Sequence, residues 1–561
     1  MAKFEKRDSD RGVIDTANKT SMRSWRGVNI KLLTIAVFAA FIFLWMVGMT
    51  HSQKMQRPDG PADQGPVVAR EDGNADSGRD VFRNETFGNE GFWTDAVRVP
   101  KGVVDAKVTP LMALKLGLSV DVDALDVTTK DAVAKELKMD PTGASSKLFN
   151  DPKTTIALLN ANAIIGLVVK DSNGDGKLDL AHGDKLGVSC AICHTMTDGA
   201  VLKVPSGGTI GRRLDGQTNH NLNLGTIFAT AANSRALYPI LQLSLKSNKG
   251  KTLGRAPKGL TEKSSEKNVD KYLSNPAYYP VGMFDDSFDG NGDPMHITPL
   301  FRQDLAAPYG SEGTFAHLEN FNNTVYTVLF DLTNLTTPGG RTLLHTLGGA
   351  AGDEIVDDYV KILKDTKVTG YPFVKASPVS PTDSDPSAGL SVDRRKLIDL
   401  NAYLSSLHAP AGEKGDLASV GRGRQAFTSQ GCTACHNVDQ SKRVPSFLVP
   451  MKTIFPGDDP VTLAQRMPPL NPVLDTPKFF FDDKMAVVNA SARGDIRGIA
   501  MPLLMDLARK PFFLHDDTVP SLNTLFDSSR GANAPHAFYI SDMSQRADII
   551  AFLRSLDDSS K

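Results

Sequence analysis

Cys190-Ala191-Ile192-Cys193-His194 and Cys432-Thr433-Ala434-Cys435-His436 are two copies of one pentapeptide pattern, and together they use all four cysteines of the chain. Two thiols at this spacing can add across the two vinyl groups of a haem, and the adjacent imidazole then lies beneath the iron. A shared zinc site needs short ligand spacing, whereas these pairs stand 242 positions apart and zinc leaves each neighbouring histidine unexplained. A thioredoxin-like pair needs one CxxC beside a strand–helix unit, not two that each run into histidine. The pattern therefore predicts two covalent haem c groups, held by Cys190, Cys193, Cys432 and Cys435, with His194 and His436 as iron ligands.

At 561 residues the chain exceeds one ordinary core, which predicts two folded domains plus appendages. Its 63 basic and 64 acidic side chains nearly cancel, and no basic run follows the first forty residues, so no nucleic acid is expected as a partner. Leu32 to Met49, LLTIAVFAAFIFLWMVGM, is eighteen residues without a charge, close to the ~20 that cross a bilayer as a helix. Trp45 suits the interface, no small-residue cleavage site follows, and residues 1–31 hold eight Lys/Arg against four Asp/Glu. These features predict a cytoplasmic tail (1–31), a single transmembrane anchor (32–49) and a polar tether (50–99). The location they predict is the bacterial inner membrane, single-pass, with the N-terminus cytoplasmic and the haem domains in the periplasm, where haem c is attached.

Beyond the tether, three landmarks recur in the same order. Each half has the haem motif and then a Pro-Leu pair followed nine positions later by Pro-aromatic: Pro299-Leu300 with Pro308-Tyr309, and Pro502-Leu503 with Pro511-Phe512. Each half closes with an amphipathic helix, where Leu400-Asn401-Ala402-Tyr403-Leu404 matches Ile549-Ile550-Ala551-Phe552-Leu553. A boundary near Pro410–Asp416 separates an N-terminal haem c domain with insertions (100–410) from a smaller C-terminal cytochrome c domain (417–561). Strong strand signals are few. The expected fold is mainly α, two cytochrome c-type haem domains in tandem, preceded by a single transmembrane helix.

With the paired motifs and the stretch Met501 to Leu522, MPLLMDLARKPFFLHDDTVPSL, the chain resembles the di-haem cytochrome c peroxidase superfamily. That superfamily includes bacterial di-haem peroxidases, the methylamine dehydrogenase maturation enzyme and di-haem rubber oxygenases. The resemblance spans roughly residues 180 to 556 and implies unequal haems, one six-coordinate that passes electrons and one that meets hydrogen peroxide or oxygen. It implies His515 as distal ligand of the second haem, with Met501 and Met505 as rivals, since thioether ligation raises a haem potential. The first half, Pro308-Tyr309-Gly310-Ser311-Glu312-Gly313-Thr314, reads one residue shorter and lacks that histidine. Glu312 is then the candidate catalytic group for moving protons at the first haem. His220, Met295, His296 and His317 stand as alternative sixth ligands there. Relatives place a tryptophan between the haems, whereas Trp25, Trp45 and Trp93 all precede the first motif.

Two further patterns suggest binding groups. Asp171 to Asp179, DSNGDGKLD, copies the first nine positions of a calcium loop, with His182 where the bidentate glutamate belongs, which makes Ca2+ a candidate ligand. Arg212 and Arg213 are candidates for a haem propionate. The expected function is a membrane-anchored di-haem oxidoreductase of the peroxidase type, with a redox partner protein in or at the membrane. A non-catalytic di-haem carrier and a di-haem oxygenase are the alternatives.

Overall fold

Each motif-bearing half opens with a helix that lies across the helix closing it, and a glycine sets each crossing. The first opening helix, Ala75–Asn84, is capped by Asn74 and buries Gly78, Val81 and Phe82 against the closing helix Arg394–Ser406. A Cβ on Gly78 would lie 1.9 Å from the Asp399 carbonyl oxygen and 2.9 Å from the Tyr403 Cβ. The second opening helix, Leu417–Ser429, crosses Met543–Arg554 in the same way: a Cβ on Gly423 would lie 2.0 Å from the Asp548 carbonyl oxygen and 2.7 Å from the Phe552 Cβ. Only hydrogen fits at either position, so the helix axes approach more closely than side chains allow.

The aspartate at each crossing is also a tie. Asp399 accepts from the Asn74 backbone N–H at 2.8 Å, and Asp548 accepts from Ser419 Oγ at 2.5 Å and Arg422 Nε at 2.7 Å. Ala75–Asn84 lies inside the stretch expected to be a tether, 50–99. Its many polar residues occupy the outward face, and its apolar residues are too few to stand out in the sequence.

In this computed structural model the described residues are 72–241, 246, 260–276, 279–284, 295–310, 315–380, 388–444, 448–450, 498–514, 517, 519–532, 534 and 536–560. Arg57–Lys561 groups as one compact unit that carries both motifs. In the first half a long insertion separates the opening helix from Cys190. It includes the helices Val99–Asp105, Pro110–Lys115, Val127–Met139 and Pro152–Asn160. It ends in an antiparallel hairpin, Leu167–Lys170 with Lys185–Val188, that delivers the chain to the motif. In the second half the motif follows its opening helix almost directly.

Two apolar clusters surround the motifs. Cys190 and Ala191 sit with Val81, Phe82, Leu300, Tyr309, Tyr326 and Tyr403, while Cys432 lies against Phe427, Leu504, Phe513, Phe526 and Phe552.

The repeat is real but registers one residue away from the prolines. Arg302 and Asp506, Tyr309 and Phe513, and Gly310 and Leu514 are all 204 positions apart. Arg302 and Asp506 share a left-handed φ (44° and 58°), as do Gly310 and Leu514 (85° and 67°). Tyr309 bridges Phe315 just as Phe513 bridges Val519, so the enclosed loops are equal in length. The first loop is therefore not one residue shorter, because backbone pairing sets the register and the prolines do not.

The expectation of a transmembrane helix ahead of the two domains, and with it the single-pass inner-membrane location, is corrected here. No helix among the described residues is long and apolar enough to cross a membrane. Ala350–Asp365 is the longest described helix at 16 residues and carries several charges, where a span needs ~20 apolar residues. Residues 32–49, on which that expectation falls, lie outside the described residues, as do the tail 1–31 and residues 50–71.

Candidate functional site

His194 ends a single helical turn, Ala191–His194, and the chain leaves it as a strand, Thr195–Thr197, paired with Arg213–Asp215. Its Nδ1 donates to the Thr298 carbonyl at 2.8 Å, which leaves Nε2 with its lone pair. An imidazole that binds a metal through one nitrogen commonly gives its other N–H to a carbonyl in this manner. Burial lowers the His194 pKa to about 4 and keeps the ring neutral, the form that ligates. Burial also pushes the Cys190 thiol up to about 11 and the Cys193 thiol to about 12. Tyr326, fully buried, brings its hydroxyl to 3.4 Å from Cys190 Sγ and is flanked by Phe87 and Phe330 at ring distances of 4.5 and 5.5 Å.

At the second motif, His436 faces a histidine that the sequence did not single out. The rings of His436 and His536 lie 6.1 Å apart, centre to centre. Two imidazoles that share one metal ion stand about 6 Å apart, given ~2 Å per metal–nitrogen bond and ~1 Å from each nitrogen to its ring centre. Both Nδ1 atoms are buried and unpartnered among the described residues. Burial brings His436 to about 4, and burial together with repulsion from His436 and Arg530 brings His536 to about 3. His536 holds a left-handed φ of 54°, a conformation that costs a non-glycine residue about 1–2 kcal/mol and persists only where surroundings impose it. Phe427 and Phe538 complete the ring contacts, at 6.3 Å from His436 and 5.0 Å from His536. No signal short of the fold marks His536, which stands alone in the loop Arg530-Gly531-Ala532-Asn533-Ala534-Pro535-His536.

The residues present thus fit two haem c groups. Each motif has two free thiols and a neutral imidazole, with Cys190 in one apolar cluster and Cys432 against another, and the second adds an opposing imidazole. An opposing imidazole such as His536 is not found beside His194 among the described residues.

The remaining expected site residues fall as follows. Glu312 and His515 lie outside the described residues; by the 204-residue register Glu312 corresponds to Asp516 and His515 to Ser311. Met501 is half-buried after the strand Gly498–Ala500, and Met505 is core, packed on Phe301 and Leu305. Arg213 is half-buried with its Nε 2.5 Å from Asp121 and its Nη1 buried without a partner among the described residues, and Arg212 is exposed with Asp123 at 3.9 Å. His317 immediately precedes the helix Leu318–Thr324, and His296 is engaged with Lys510 and Leu514. The calcium loop folds on itself: Asp171 accepts from the N–H groups of Gly174, Asp175 and Gly176, and Asp179 binds His182. No group of three or more His, Cys, Asp or Glu side chains among the described residues converges as a metal site would. Neither the Ca2+ reading nor a shared zinc site gains support.

No protein-family model matches the chain, and no curated protein matches it. Among solved structures it is similar to a chain of Kuenenia stuttgartiensis hydrazine synthase pressurized with xenon. The identity is 12% and the TM-score 0.23, over 49% of this chain and 76% of that one. A likeness at this level carries no argument about function.

Proposed function

We propose that this protein is a di-haem c-type oxidoreductase in which the two haems divide the work. The observation that carries the reading is the opposed pair His436 and His536, which has no counterpart beside His194 among the described residues. Cys432 and Cys435 would hold the second haem, with His436 and His536 as the imidazoles available to its iron, and that haem would supply electron relay from a redox partner protein. Cys190, Cys193 and His194 would hold the first haem, which would supply the chemistry with hydrogen peroxide or oxygen. Bound haem supplies one-electron chemistry at both sites.

The chain's own contribution is to hold and exclude. The Thr298 carbonyl orients the His194 ring and raises its basicity. The aromatic walls around Cys190 and Cys432 keep water from each site, and low dielectric strengthens every charge interaction inside.

Electron paramagnetic resonance on the as-isolated and half-reduced protein, followed by peroxide addition, tests the reading. The expected result is one low-spin signal indifferent to peroxide and a second signal that peroxide changes. Two low-spin signals with no reaction would overturn the catalytic part and leave an electron carrier.

A further inference from the structure

Outside both motifs, a cluster of charged and titratable side chains lies where the halves meet. His296 belongs to the first half, on the strand Met295–His296 paired with Met283–Phe284. Its partners come from the second: Nδ1 donates to the Leu514 carbonyl at 2.9 Å, Nε2 accepts from Lys510 Nζ at 2.8 Å, and Asp517 Oδ1 stands 3.5 Å from Nδ1. These bonds require one tautomer, with the proton on Nδ1. Burying an ammonium is costly, and burial draws the Lys510 pKa down to about 8 despite the pull of Asp517.

Two residues along the chain from His296 lies Thr298, whose carbonyl takes the His194 proton. The chain is held on both sides of Thr298. His296 is clamped from the second half, Ile297 N–H donates to the Gly282 carbonyl at 3.1 Å, and Leu300 N–H donates to the Gly216 carbonyl at 2.9 Å. The second motif has no such arrangement, since His436 Nδ1 finds no partner among the described residues.

We infer that Lys510, through His296, is a positioning residue for the first iron ligand: the second half of the chain clamps the segment whose Thr298 carbonyl orients His194. The inference rests on the first motif carrying a haem, as proposed above. A strong hydrogen bond from Nδ1 gives the ligand imidazolate character, which favours the oxidised iron and holds the potential low. Loosening the clamp weakens that bond, so the first haem becomes easier to reduce while the second does not change.

The test compares His296→Leu, Lys510→Met, the double substitution H296L/K510M, and His296→Gln, whose amide keeps a donor for Leu514 and an acceptor for Lys510. His296→Leu alone strands the ammonium, and the double variant removes that difficulty. The readouts are the midpoint potential and visible spectrum of each haem in the full-length holoprotein. The expected result is a raised potential and shifted spectrum at the first haem in the Lys510→Met and double variants, recovery in His296→Gln, and an unmoved second haem. An unmoved first haem in the folded double variant overturns the inference, and so does an equal shift at both haems, which marks general loosening. Absence of haem from Cys190 and Cys193 in the wild-type protein overturns the proposed function together with it; with haem present and indifferent, only this inference fails.

Discussion

His536 is the residue on which the two sites diverge. Replacement of His536 by alanine is expected to open the second haem: its low-spin signal gives way to a high-spin one, and the first haem keeps its spectrum. His515→Ala is expected to leave the second haem low-spin, and a loss of that signal would return the ligand role to His515. Electron paramagnetic resonance on the two variants separates them. The sequence made His515 conspicuous because it sits in a stretch that resembles a known motif. His536 lies in a loop of small residues where only a left-handed φ and a fold-imposed neighbour give it meaning. The four cysteines and the histidines beside them, by contrast, stand out in the sequence, since the chemistry proposed for them is local and needs five consecutive residues. Arg213 lies close in sequence to the first motif, which suggested a propionate; its Nε pairs with the buried carboxylate of Asp121, and its Nη1 is buried without a partner among the described residues.

Among the elements, the two helix crossings make the sharpest claim. Gly423→Ala places a methyl group 2.0 Å from the Asp548 carbonyl oxygen, so the overpacking cost, about 1–3 kcal/mol or more, outweighs the better helix propensity of alanine. Gly421, two residues earlier on the same helix, has open space around it, and Gly421→Ala is expected to stabilise by up to about 1 kcal/mol. Denaturant midpoints should therefore move in opposite directions, and movement in the same direction would mean the crossing is not as close as described. Asp548 adds a pH dependence. Its hydrogen bonds to Arg422 and Ser419 hold its carboxyl below the usual range, so its contribution is complete above the unfolded value of ~3.9 and is lost as pH falls through the lower folded value. Asp548→Asn is expected to flatten the acid side of the stability–pH curve below about pH 4, which equilibrium unfolding at several pH values measures. The closing helices were readable from their leucine and aromatic spacing. The opening helix Ala75–Asn84 was not, because a ten-residue run holding Gly78, Val81 and Phe82 among polar residues gives little periodic signal.

In the whole molecule, the plan written twice in the sequence is carried by two equivalent helix crossings and two equivalent bridged loops. Single-residue landmarks misplace the register by one, since proline positions drift while backbone pairing does not. What the sequence could not contain is the joint between the halves, where Met505 packs on Phe301 and Leu305, and Lys510 binds His296. Contacts across some two hundred residues leave no periodic trace. The account as a whole depends on two haems bonded to this chain. Its most direct test is the pyridine haemochrome of the denatured protein, in the wild type and in the variants C190A/C193A and C432A/C435A. Two haems per chain in the wild type, and one in each variant, are predicted; a colourless denatured polypeptide would contradict the account.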